Sequence, residues 1–119
     1  MTERRILPMR RPTFTFDVFD AAGRTDLTVS FSTFEPVGTP PPWTVSEIFI
    51  TSRKIGSGAE AIARDAAILL SLAVQYGCPL DTIRHALTRN QDGTPQSVMG
   101  RVVDRVNEES GHEKTGPAG

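Results

Sequence analysis

The sequence predicts a single α+β domain, a three-stranded antiparallel β-meander followed by two to three helices packed on one face. Three observations carry this reading. Apolar and polar residues alternate in two runs before residue 33, and a third run from Val45 is rich in β-branched and aromatic residues. From Ala59 the apolar period changes to the three-and-four step of a helix. Strands come first and helices after, which is the order of an α+β chain and not of alternating β-α units.

Residues 1–12 contain Arg4, Arg5, Arg10 and Arg11 with two prolines, so an extended basic arm is expected, either docked on phosphate or an acidic partner or simply solvated. In the first strand Phe14, Phe16 and Val18 share one face, while Thr15 and Asp17 share the other. Ala21 to Arg24 supply a turn. Leu27, Val29 and Phe31 then alternate with Thr28, Ser30 and Ser32 as the second strand of a hairpin. Glu35 to Trp43 holds Pro36, Gly38, Pro40, Pro41 and Pro42 and is expected to cross an end of the sheet in polyproline form. Trp43 either caps the core edge or stacks on a ligand. Val45 to Thr51 is the third strand. Ile48, Phe49 and Ile50 in succession predict that both its faces are covered, with Glu47 either at the sheet margin or aimed at a basic group.

Ser57 and Glu60 have the spacing of a capping box at the start of the first helix. Its predicted buried stripe is Ile62, Ala66, Leu69, Leu70 and Ala73, with Ala59, Ala63 and Ala67 allowing close approach, and Gly77 ends it. Pro79 and Asp81 open a second helix that buries Leu80, Ile83 and Leu87. After the turn at Asn90 to Gly93, Thr94 and Pro95 read as the cap and first turn of a third helix, with Val98, Val102 and Val106 on one face and Met99 and Val103 beside them. Residues 108–119 are polar and rich in breakers, so a disordered tail is expected and the domain is placed at residues 13–107.

The totals exclude several classes. A chain of 119 residues has room for one compact domain, and its net charge of -1 argues against a nucleic-acid grip. One cysteine, Cys78, cannot form an internal disulfide or a cysteine-rich zinc site. The most apolar segment, Ala66 to Val74, is too short to span a bilayer, no signal peptide is visible, and a cytoplasmic location is expected.

The best candidate for chemistry is the loop Arg53, Lys54, Ile55, Gly56, Ser57 and Gly58. Its glycines let amides turn outward, the helix start adds positive potential, and Arg53 and Lys54 add charge, with Glu47 beside them. The alternative is turn geometry with solvated charges. Arg84, His85 and Arg89 form either a basic edge for an acidic partner or the cations that a helix C-terminus attracts by itself. Cys78 and His85 are two helical turns apart, roughly 10 Å of rise, with no third orienting group. No catalytic or metal-ligating constellation is seen.

Glu47-Ile-Phe-Ile-Thr-Ser-Arg-Lys-Ile-Gly-Ser-Gly58, the helix with Arg64-Asp65-Ala66, and the segment Leu72 to Gly77 together resemble the TSCPD domain, over about Phe14 to Val106. That domain ends adenosylcobalamin-dependent ribonucleotide reductases and also occurs as short free-standing proteins. The Thr-Ser-Cys-Pro-Asp motif itself is not present; Thr94 to Gly100 occupies the comparable place. The resemblance implies an accessory or ligand-binding module in deoxyribonucleotide metabolism, not catalytic alone. Ribonucleotide reductase or a nucleotide would be its partner, and no cofactor would be held by this chain, since adenosylcobalamin belongs to the reductase. Two other readings stay open: an oligomerisation or interaction scaffold built on the alanine-rich helix, and nucleic-acid binding through the basic arm.

Overall fold

The alternating runs pair as their pattern requires. In the structure, a computed structural model that describes residues 3–9, 11–20, 25–52 and 58–112, β1 (Thr13–Asp20), β2 (Thr25–Thr33) and β3 (Val45–Ser52) form one antiparallel sheet in the order β1-β2-β3. Phe14, Phe31 and Ile48 lie in one cross-strand row and Phe16, Val29 and Ile50 in the next, so the apolar sets of all three strands share a face. The opposite face is polar. Thr13 hydrogen-bonds Ser32 at 3.2 Å, Thr15 bonds Ser30 at 3.0 Å, and the Thr28 hydroxyl donates to Asp17 at 2.9 Å.

Phe49 lies in the Ser30 row of this polar face and is exposed, which corrects the expectation that both faces of β3 are covered. The period of two turns Phe49 away from the side where the helices pack. Near the start of β3 the register slips between Ser32 and Thr33, leaving Ser46 as the extra residue of a bulge. The turn expected at Ala21 to Arg24 lies outside the described residues.

Three helices follow: α1 (Gly58–Gln75), α2 (Leu80–Ala86) and α3 (Val98–Glu109). α1 and α3 cover the apolar face, where Leu27, Val29, Phe31, Ile48 and Ile50 meet Ala63, Leu70 and Val74 of α1 and Val102, Val103 and Val106 of α3, and α2 packs against α3. The roll of α1 differs from the predicted stripe. Ala63, Ala67, Leu70 and Val74 are buried, Ala66 and Ala73 are half-buried, and Ile62 and Leu69 are exposed. The reason is the closeness of the helix to β3. Ser71 Oγ accepts the Ile48 N–H at 2.9 Å and donates to the Ile48 carbonyl at 3.1 Å, while Gln75 Nε2 donates to the Ser46 carbonyl at 3.0 Å. Those contacts need the helix against the strand, and only the alanine side is thin enough to allow it.

Gly77 closes α1 as expected. Its φ of 102° is left-handed, with Cys78 N–H donating to the Ala73 carbonyl at 2.9 Å and Gly77 N–H to the Val74 carbonyl at 3.1 Å, the two bonds of a Schellman ending. The Ser57 half of the expected capping box lies outside the described residues.

Two boundaries differ at the other end. The cap of α3 is Ser97, whose Oγ accepts the Gly100 N–H at 3.0 Å, and not Thr94. Thr94 is engaged elsewhere: Asp92 accepts both its N–H and its hydroxyl proton, which holds the Asp92 carboxyl below its usual value, and Pro95 bridges to Arg89. The tail expected from residue 108 does not begin there. α3 runs to Glu109, the Ser110 carbonyl accepts the Trp43 N–H at 2.8 Å, and the His112 Nε2 lies 2.8 Å from the Trp43 carbonyl. Gly111, with φ of 89°, sits so close to Pro41 and Pro42 that a Cβ would collide with them. Residues 108–112 therefore belong to the fold, and the rest of the expected tail lies outside the described residues. Trp43 stacks on Phe14 with ring centroids 4.9 Å apart, as a cap on the core edge.

The described residues of the basic arm, 3–9 and 11–12, have no regular structure, as its prolines dictate, and they are docked on the domain. Arg5 N–H donates to the Gln75 carbonyl and its guanidinium lies 3.6 Å from the Phe34 ring centre. Arg4 Nε donates to Gln75 Oε1 at 2.6 Å. Arg11 pairs with Glu47 at 2.7 Å and also reaches the Pro8 carbonyl. Arg10 is outside the described residues. Among the described residues no helix is long and apolar enough to cross a membrane.

Candidate functional site

Of the predicted anion loop, Arg53, Lys54, Ile55, Gly56 and Ser57 lie outside the described residues. Gly58 is the first residue of α1, is exposed, and has open space where a Cβ would stand. Glu47 is buried on β3 and paired with Arg11, so among the two readings of this carboxylate the structure shows a basic partner, supplied by the arm.

Arg84, His85 and Arg89 do not share one surface, and Arg89 lies beyond the end of α2. Arg84 is buried, with Nη2 donating to Asp81 Oδ1 at 2.8 Å. Arg89 grips Asp104 with two parallel bonds of 2.9 and 2.7 Å and also donates to the Gly93 and Arg84 carbonyls. The Asp104 carboxylate holds the Arg89 guanidinium above its usual value. This pair clamps the 89–95 loop to α3. His85 alone of the three is exposed, and its Nδ1 lies 2.8 Å from the Asp81 carbonyl.

A cavity of about 460 Å³ opens where the arm, the C-terminal ends of α1 and α3, and the start of α2 converge. Arg5, Val74, Cys78, Leu80, Arg84 and His112 are among its lining residues. Beneath it, Nε and Nη1 of Arg84 have no hydrogen-bond partner among the described residues. Among those residues no cluster of histidine, cysteine, aspartate or glutamate is arranged to hold a metal ion.

The most distinctive surface lies on α1. Opposite its alanine side, Ile62 is 71% exposed, Ile68 57%, Leu69 68%, Leu72 37% and Tyr76, directly after the helix, 39%. Ile62, Leu69 and Tyr76 recur every seventh residue and Leu72 falls three after Leu69, so they form one stripe, with Asp65 on its midline. A helix that is apolar on opposite sides is expected to be covered on both. Sequence reasoning assigned Ile62 and Leu69 to the core and so passed over this face. The signal that points to it is the all-round distribution of apolar residues along residues 61–76, more than one buried face can use.

Compared with known protein families, curated proteins and solved structures, the chain matches none.

Proposed function

We propose that this chain is a non-catalytic accessory module that works by docking, with the outer face of α1 as its contact surface and ribonucleotide reductase as the setting that the TSCPD resemblance implies. The observation that carries the reading is the second apolar face of α1, five large side chains wide on a helix whose other side is already packed. The described charged groups support it, since Arg89 with Asp104 and Arg11 with Glu47 are engaged in holding the fold together.

The test is sedimentation of the wild-type chain and of the Ile62→Lys/Leu69→Lys double variant, each alone and with an adenosylcobalamin-dependent ribonucleotide reductase. The expected result is a complex of the wild type in at least one setting, lost in a variant whose circular dichroism is unchanged. A wild type that stays monomeric in both settings overturns the reading.

A second reading, a small-ligand module, is favoured by the cavity itself, whose lining includes the cationic residues Arg5 and Arg84 and so suits a ligand carrying acceptor oxygens. Thermal midpoints with ribonucleotides, deoxyribonucleotides and phosphate, for wild type and Arg84→Met, test it: a ligand that binds the folded state raises the midpoint. A rise with one of these ligands that Arg84→Met removes supports this reading, and no rise with any of them ends it.

A further inference from the structure

We infer that the occupant of the outer face of α1 is a second copy of this chain, paired antiparallel through α1 about a two-fold axis at Leu69. The inference rests on the reading of this face as a contact surface and adds the partner and the register. Leu69 is midway between Ile62 and Tyr76, so these three heptad-spaced residues are symmetric in spacing about it. A two-fold axis there puts Leu69 against its own copy and Ile62 against Tyr76 of the other chain, as an isologous interface requires.

Charge decides the direction. Asp65 is exposed on the midline of the stripe. Parallel pairing in register would set Asp65 against Asp65 in an apolar seam, where like charges repel and lose their water. Antiparallel pairing about Leu69 sets Asp65 against Ala73 instead. Helical side chains lean toward their own N-terminus, so the Tyr76 ring of the second copy tilts from its place opposite Ile62 toward Asp65, and its hydroxyl can donate to the carboxylate. The helix dipoles also oppose each other in this arrangement.

The area is sufficient for a modest, concentration-dependent dimer. At about 100 Å² for each large apolar side chain, the five contribute on the order of 500 Å² per copy, over half of the roughly 800 Å² per partner of a standard interface.

Facing Cα atoms of two helices whose axes are 9–10 Å apart stand roughly 4.4–5.4 Å from each other, within disulfide reach. The experiment therefore uses the full chain carrying Cys78→Ser, with Leu69→Cys, Ile62→Cys or Tyr76→Cys added singly, under air oxidation, alongside sedimentation of the wild type. Leu69→Cys is expected to give a disulfide-linked dimer. Ile62→Cys alone is expected to give none, and a mixture of Ile62→Cys and Tyr76→Cys chains to give the mixed dimer. Equal cross-linking of Ile62→Cys to itself overturns the antiparallel register. A wild type that is monomeric alone yet binds the reductase through the same face overturns the second copy and leaves the docking reading standing; association in neither setting ends both.

Discussion

α1 and α3 border the same core and yet are finished differently. α3 buries Met99, Val102, Val103 and Val106 on one side, its buried Asp104 is engaged by Arg89, and its exposed Arg105 is engaged with Glu109 and the Phe16 ring. α1 buries Ala63, Ala67, Leu70 and Val74 and turns larger residues, Ile62, Ile68 and Leu69, outward. One helix has the composition of a boundary between core and water. The other has that of a boundary between two packed surfaces, with the smaller residues on the side that is already covered. The difference teaches that the stability of this fold and its capacity for contact sit on different helices, and substitutions can separate them.

The largest effect is expected on α3. Val102→Asp places an unpaired carboxylate at a fully buried position and should cost about 4 kcal/mol, enough to leave much of the chain unfolded in a urea titration. Ala67→Leu attacks the thin side of α1, where overpacking should cost about 2 kcal/mol and lengthen the Ser71 contacts, visible as faster hydrogen exchange at Ile48.

Acid gives a smaller effect, at the loop that precedes β3. Partial burial pushes the Glu35 carboxyl up, but the hydrogen bond from Thr44 N–H, with the Arg5 charge nearby, holds it below its usual value of 4.5. Its contribution to stability is thus complete above that value and is lost as pH falls through the lower value of the folded state. Glu35→Gln should lose less stability than the wild type when unfolding is followed across that window. The smallest effect on folding belongs to the outer face of α1: Leu69→Gln should change monomer stability by less than about 0.5 kcal/mol while reducing association. A Leu69→Gln chain that unfolds like Val102→Asp would erase the distinction between the two helices.

The strands were legible because alternation has one solution per strand: Phe14, Val29 and Ile50 can share a face in only one register. The three helices were legible in type and rough extent. The roll of α1 was not, because apolar residues on every side leave several faces eligible, and the choice was made by the distance at which Ser71 and Gln75 reach β3. The cap of α3 was misplaced because Thr94 and Ser97 offer the same chemistry and only the contact with Asp92 separates them. At the candidate sites, Arg84 and Arg89 read as a basic edge because their partners, Asp81 and Asp104, are identified only once α2 and α3 are packed.

The hydroxyl of Ser71 answers both backbone groups of Ile48, and the amide of Gln75 answers the carbonyl of Ser46, all on the edge of β3 that faces away from β2. At Ser46 and Ile48 those backbone groups are therefore not open to a strand from another molecule. A strand pairing with β3 at these two residues must first displace α1, so the helix that offers an apolar surface to solvent also obstructs one route to polymerisation. Two polar side chains hold that gate shut.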